Sequence, residues 1–574
     1  MSSKLSTTMN LKMFLYLFAI SLSLPSFGQD VPQDYFKSPL DIPLLLSGTF
    51  GELRSNHFHA GMDIKTKGTT GLSVHASAEG YVGRIKIQHG GYGKALYIYH
   101  PNGYQSVYAH LDNFSPEIEK LVKEQQYQKE SYEIELFPEE SDLKVSQGET
   151  IAYSGNSGSS GGPHLHFEIR DYQSKPMNPF LFGFEEIEDS QKPNVFALHS
   201  YAIGEDSHVN GSSGRKQLKL IQKNNGDFMT ETIKVHGDIG FGIEVTDRLD
   251  LSYNKNGVYS IKTKLNGRPI FENTFDKFSF YETRYINRLI DFEFYKTEKR
   301  KIHKLFVEPN NPLSVYTDAY NRGVVNVFKD SLNQQFEIEV SDYKGNTQSI
   351  TIPIESDYRE GIEPNTQKET EYLAKSDAAS VFEEGKIDIY IPKNALYEDT
   401  YLDIKIEGLT VDLHTYTTPL HKSVTIGFDV SQYSPEDQTK LYIAQVNPWG
   451  GQYYVSTYKK KDRLTTRTNQ FGSYALFEDS TPPSIKPKNF KDKQWVSNFR
   501  YLELEITDEE TGIDSYRATV NGKFILMEYD YKTNTLIYDF NDDKISNTKN
   551  ELKVVVTDKV GNTSIFEAEF SRKN

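Results

Sequence analysis

Five polar residues in the first third of the chain could hold a metal and move protons: His59, Asp63, His110, His164 and His166. His59-Ala-Gly-Met-Asp63 sets an imidazole and a carboxylate four residues apart. That spacing shares one face of a helix and, four being even, one face of a strand. His164-Leu-His166 sets two imidazoles two apart, which share a face only in a strand. Together these residues offer donors for three metal ligands with two imidazoles to spare, which suits a zinc hydrolase. Each short motif alone is common; joined to Tyr108-Ala-His110-Leu111 they are specific. His57, His75, His89 and His100 show no such pattern and read as solvated or hydrogen-bonded bystanders, with His57 on the parity of His59.

The elements that position them are short strands. Leu165, Phe167 and Ile169 alternate with His164, His166, Glu168 and Arg170, so the apolar set can enter a core while the imidazoles face the other way. Tyr108 and His110 share a parity opposite to Val107, Ala109 and Leu111. The Gly/Ser run 155–163 reads as a loop above the strand, and Gly61 lets the backbone pass close by. Gly80–Ile87, Ala95–Tyr99 and Tyr104–Ala109 read as further strands. One stretch is helical: Ser115 and Pro116 form a helix start, and Ile118, Leu121 and Val122 recur at helical spacing before a polar run to about Glu130.

Phe50-Gly-Glu-Leu-Arg54, Phe58-His59-Ala-Gly-Met-Asp63, Tyr108-Ala-His110-Leu111, Gly155-Asn-Ser-Gly158 and Gly162-Pro-His164-Leu-His166-Phe-Glu168 together resemble the lysostaphin-type (LytM-like) zinc endopeptidases, which cleave the peptide part of bacterial peptidoglycan. The resemblance covers about residues 40–180. It implies that His59, Asp63 and His166 bind one Zn2+, that His110 and His164 are catalytic without binding metal, and that the site lies in an open groove of a small antiparallel β-structure. Some members have lost ligands and act as activators of other hydrolases; all five positions are intact here. The segment 113–144 is longer than the family's compact loop, and its helix and the strand Tyr132–Leu136 are expected to border the groove or to lie outward.

The remainder bounds the setting. A chain of 574 residues needs several cores. Aromatic content of 13% and frequent alternation favour β-structure. A net charge of −16 excludes nucleic acid as the main partner. With no cysteine, a metal must use imidazole and carboxylate. Lys4 and Lys12, the apolar run Met13–Leu24, and Ser26 and Gly28 before Gln29 read as a signal peptide, with the run too short for the roughly 20 residues of a membrane span. No later segment is apolar enough to cross a bilayer.

After about residue 185 a diverged repeat appears. Val245-Thr-Asp247, Asn256-Gly-Val258, Leu265-Asn-Gly267 and Val340-Ser-Asp-Tyr-Lys-Gly-Asn-Thr347 are echoed by Ile506-Thr-Asp508, Thr511-Gly-Ile513, Val520-Asn-Gly522 and Val556-Thr-Asp-Lys-Val-Gly-Asn-Thr563. Each copy reads as a small antiparallel sandwich. Asp247, Asp342, Asp508 and Asp558 sit where Asp satisfies its own backbone, with calcium binding the competing reading.

The expected architecture is mainly β: a signal peptide (1–28), a small antiparallel β peptidase domain with a helical insertion (29–184), then about three Ig-like β-sandwich domains (185–355, 356–480 and 481–574). The expected function is an exported, periplasmic or secreted zinc endopeptidase acting on peptidoglycan stem peptides in wall growth or remodelling. An envelope partner docking through the C-terminal sandwiches is a further expectation. The alternative is a non-catalytic envelope scaffold or activator that recruits another wall hydrolase. The segment Gln29–Leu46 could lie across the groove.

Overall fold

The structure is a computed structural model that describes residues 31–328, 331–359, 362 and 368–573, so the expected signal peptide lies outside it. The first unit contains β1 (Leu46–Gly48), β2 (Met62–Lys65), β3 (Ser73–His75), β4 (Gly80–Ile87), β5 (Lys94–Tyr99) and β6 (Gln105–Phe114). These are followed by α1 (Pro116–Lys129), β7 (Ile134–Leu136), β8 (Lys144–Val145), β9 (Thr150–Ser154), β10 (His164–Arg170) and β11 (Pro176–Met177). The main path of its antiparallel sheet runs β1-β2-β10-β6-β5-β4-β7.

Alternation decides the faces. Met62, Ile64, Leu165, Phe167 and Ile169 enter one buried cluster with Tyr108 and Leu111. Val107 and Ala109 point to the opposite face, beside Ala95 and Tyr97. Register then sets Asp63 and Ala109 on either side of His166. Gly61 makes the approach feasible, because a Cβ there would lie 2.2 Å from the carbonyl oxygen of Phe167. The segment before β1 does not lie across the groove: Phe36, Leu40 and Leu44 are buried in the large cluster, on the face turned away from His166.

The insertion lies outward. Ile118 and Val122 of α1 anchor it in the core, and β7 pairs with β4, at the far edge of the sheet from β2 and β10. Its exposed side docks the last unit. Lys123 Nζ contacts Asp542 Oδ1 at 2.8 Å and Tyr132 donates to Glu528 Oε1 at 2.8 Å. It is the last unit that reaches the Gly/Ser loop: Tyr531 donates to the Gly158 carbonyl at 3.2 Å and Lys532 Nζ to that of Asn156 at 2.5 Å.

Beyond the first unit, three further apolar cores follow along the chain, built on residues such as Phe241 and Phe336, Ile389 and Ile426, and Leu504 and Val554. The third and fourth cores lie between paired sheets of five and five, and four and five, strands. In the second unit the long strand Ile233–Thr246 pairs with strands of both its sheets and joins them. The repeated units are not purely antiparallel. Ile233–Val235 runs parallel to Ile354–Ser356, and Gln494–Trp495 parallel to Phe570–Ser571, because strands from opposite ends of a unit meet at one edge. Short helices at Ile286–Leu289 and Phe292–Glu298, unmarked by the sequence pattern, interrupt the second unit. They complete a core shared between units, in which Phe50, Phe58 and Ala60 pack against Phe275, Phe278 and Leu289.

Candidate metal centre

His59 Nε2, Asp63 Oδ1 and His166 Nδ1 converge. The carboxylate oxygen lies 3.0 Å from His59 and 2.8 Å from His166, and the two ring nitrogens are 3.1 Å apart. All three residues are buried. The outer nitrogens settle which atoms carry protons. His59 Nδ1 lies 2.8 Å from the Thr49 carbonyl, and His166 Nε2 lies 2.9 Å from Glu168 Oε1. Those partners accept only, so both outer nitrogens donate, and with the rings neutral both inner nitrogens present lone pairs. A cation satisfies three such facing acceptors, either a metal ion or, in its absence, the proton that His166 holds. Two imidazoles and a carboxylate are the donor types of a three-ligand zinc site.

A second layer fixes the ligands. Glu168 is fully buried and also accepts from Tyr92 and, at 2.6 Å, from Arg170 Nε. Burial pushes its carboxyl up, but Arg170 and His166 bring it down to about 2. Burial pulls the His166 imidazole down, while hydrogen bonds and charge from Asp63 and Glu168 raise it to about 9. Burial likewise raises Asp63, and the imidazoles of His59, His164 and His166 hold it well below the usual carboxylate range. Its other oxygen accepts from Arg54 Nη2 at 3.0 Å, which leaves Oδ1 for the metal.

His110 and His164 stand beside this cluster, their ring centroids 4.8 Å apart. His164 Nδ1 donates to the Gly162 carbonyl at 2.8 Å, and its Nε2 lies 3.5 Å from Asp63 Oδ1. His110 Nδ1 donates to the Ser157 carbonyl at 2.9 Å. Burial, and then the neighbouring His166 and His164, push His110 down to about 3, so it is a neutral base. The expected common face of Tyr108 and His110 is not observed. Tyr108 is in the core, its hydroxyl accepting from Ser77 N at 2.8 Å. His110 has φ 60°, and the pairing of β6 is irregular on both sides of it. This bulge turns its side chain from the core face to the metal face.

The structure therefore brings all five sequence-selected residues together. The bystanders stay apart from the cluster: His75 pairs with Asp41, His100 bonds the Glu79 carbonyl and Ser106, and His89 stacks on Tyr132. Exposed His57 bonds Asn56. Arg54, Tyr92 and Glu168 were not selected. The parity of Glu168 with His166 was the available signal; Tyr92 has none, because only the fold brings its loop over β10.

Comparison with known proteins adds a name to this geometry. Residues 57–128 and 138–179 match peptidase family M23, a stretch that contains all five residues. The front of the chain is a peptidase family M23 domain. Residues 371–479 match a Zu5-like domain, which coincides with the third core. The DD-carboxypeptidase/endopeptidase Mpg of Neisseria meningitidis is 34% identical over 127 residues, 22% of this chain and 23% of that protein. The murein hydrolase activator NlpD of Escherichia coli is 34% identical over 134 residues, 23% of this chain and 28% of that protein. The chain thus spans about a quarter of the length of these relatives. Among solved structures, the catalytic domain of the prophage-encoded M23 protein EnpA from Enterococcus faecalis is 22% identical, with 26% of this chain and 98% of that one covered and a TM-score of 0.20. Among the described residues, no helix is long and apolar enough to cross a membrane.

Proposed function

We propose that this protein is an exported zinc-dependent endopeptidase that hydrolyses peptide cross-links of bacterial peptidoglycan. The observation that carries the reading is the convergence of three acceptor atoms, each ring oriented by an outer hydrogen bond, beside two imidazoles left over for proton transfer. His59, Asp63 and His166 would hold the ion. When bound, zinc supplies Lewis acidity and lowers the pKa of a water to roughly 7. His110 and His164 both donate through Nδ1 to backbone carbonyls, so Nε2 of each carries a lone pair. One Nε2 accepts the water proton; the other, once protonated, stabilises the oxyanion or returns a proton to the leaving amine. Arg54 keeps Asp63 ionised and turned to offer a single oxygen.

The proposed units are 29–184, 185–355, 356–480 and 481–574, supported by the succession of apolar cores. Zinc analysis and mass spectrometry of peptides released from defined peptidoglycans test the function. Chelator-sensitive release by the purified chain alone is expected; a zinc-loaded chain that releases nothing refutes it. The activators among the relatives favour a second reading, in which the chain stimulates another wall hydrolase. Release seen only when such a hydrolase is added supports that reading.

A further inference from the structure

We propose that Asp189, Asp247 and Asp342, with the side chain of Asn256, form a calcium site that ties the M23 domain to the second unit. Asp189 lies in the connecting segment, Asp247 directly follows the strand Ile233–Thr246, and Asp342 follows the strand Gln334–Ser341. One oxygen from each lies within 4.8 Å of the others. Among the described residues none of the three forms an ion pair with Lys or Arg. The nearby Lys344 is engaged with Glu185 at 3.1 Å.

The second observation is a set of buried polar atoms without partners. Asp247 is 3% exposed and its Oδ1 has no hydrogen bond; Asn256 is 2% exposed and neither amide atom has one. The two residues form an antiparallel bridge with reciprocal backbone hydrogen bonds of 2.9 Å, which puts their side chains next to each other on one face. Buried polar atoms are rarely left unpaired, so a buried amide beside a buried carboxylate calls for a ligand. A cavity of about 20 Å³, lined in part by Asp189, Asp247, Tyr343 and Lys344, has room for one small ion or water.

The other copy of the repeat supplies an internal control. Asp479, Asp508 and Asp558 converge just as closely. There Thr511, which aligns with Asn256, donates to Asp479 Oδ2 at 2.8 Å, and Asn562 donates to Asp558 Oδ2 at 2.8 Å. In the first cluster Asn346 likewise donates to Asp342 Oδ2 at 2.7 Å and Gln191 N to Asp189 Oδ1 at 3.1 Å. The copies therefore differ at two places: Thr511 donates where the Asn256 amide has no partner, and Asp508 Oδ1 accepts from Thr511 N at 2.9 Å where Asp247 Oδ1 is bare. Carboxylate and amide oxygens with no imidazole or thiolate select a hard cation, and an irregular set drawn from three loops suits calcium better than octahedral magnesium. Bound there, the ion would hold the connecting segment against the turn of Asp342, whose neighbour Tyr343 packs on Phe180 of the M23 domain with ring centroids 5.1 Å apart.

The test is calorimetric titration of the full-length, calcium-free chain with Ca2+ alone, together with its melting temperature. One ion per chain is expected, with Kd on the order of 10⁻⁴ M and a rise in melting temperature. Asp247→Asn should weaken binding at least tenfold and abolish the rise, whereas Asp508→Asn in the second cluster should change neither. Without calcium, Asp247→Asn should melt no lower than the parent, because burial and the neighbouring Asp189 and Asp342 already disfavour a charge on Asp247. Asn256→Ala provides a second variant that keeps every carboxylate and should also weaken binding. No binding at millimolar Ca2+, unchanged binding by Asp247→Asn, or equal stabilisation by Mg2+ would each overturn the proposal.

Discussion

Glu168→Gln isolates the contribution of charge behind the metal ligand. In the parent, Glu168 Oε1 accepts from His166 Nε2 at 2.9 Å while its other oxygen accepts from Arg170. Glutamine keeps the volume and can keep one acceptor, so what is lost is the anionic part of a buried, charge-assisted hydrogen bond. Such bonds contribute about 1.5–3 kcal/mol. Removing an outer partner of a metal-bound imidazole typically lowers metal affinity about 10–100-fold, which is about 1.4–2.7 kcal/mol. Zinc affinity should therefore fall within that range, measured by competition with a chromogenic chelator. Activity at saturating zinc should recover in part. The Ala variant is less informative, since it strands the 7%-exposed Arg170 guanidinium at a cost of about 3–5 kcal/mol. A Glu168→Gln protein that binds zinc within twofold of the parent would refute the argument that this carboxylate tunes His166.

His166→Ala should lose both zinc and activity, whereas His164→Ala should retain zinc and lose turnover by about 10²–10⁴-fold; a metal-free His164→Ala protein would sink the division of roles. Gly61→Ala must displace β10, since its Cβ would lie 2.2 Å from the Phe167 carbonyl oxygen, so zinc content should fall with activity. Asp542→Ala removes the acceptor for Lys123 and Tyr127 and should loosen the last unit by about 3 kcal/mol, read as faster proteolysis of residues 479–483, which lie outside any strand or helix between the third and fourth units. His303 is buried with Nε2 unpartnered, and burial pushes it down to about 3. The unfolded imidazole therefore binds its proton first. Its contribution to stability is complete above pH 6.5 and is lost towards pH 3 at about 1.4 kcal/mol per unit. Hydrogen exchange of the strand Ile233–Thr246 should show that slope, and His303→Gln should flatten it.

Local chemistry was the legible part of this chain. The His164–Arg170 alternation selects a strand, assigns its two faces and places both imidazoles on one of them, because strand periodicity is a local property. The helix of the insertion was legible for the same reason: Pro116 and the spacing of Ile118 and Val122 need no distant partner. Tertiary structure decided what depends on contacts far apart in sequence. The bulge at His110 overrides parity, since an extra residue in one strand shifts the faces without leaving a mark in composition. The docking of the insertion on the last unit and the shared core around Phe50 and Phe58 join residues more than 200 positions apart. The Asp residues of the repeat were visible as turn residues. Only the fold brings Asp189 to two of them and leaves Asn256 beside them without a partner, because convergence in space is set by how strand ends meet. By itself the sequence determined which side chains could do chemistry; tertiary structure decided which lone pairs face each other, and burial leaves those lone pairs no water to satisfy them.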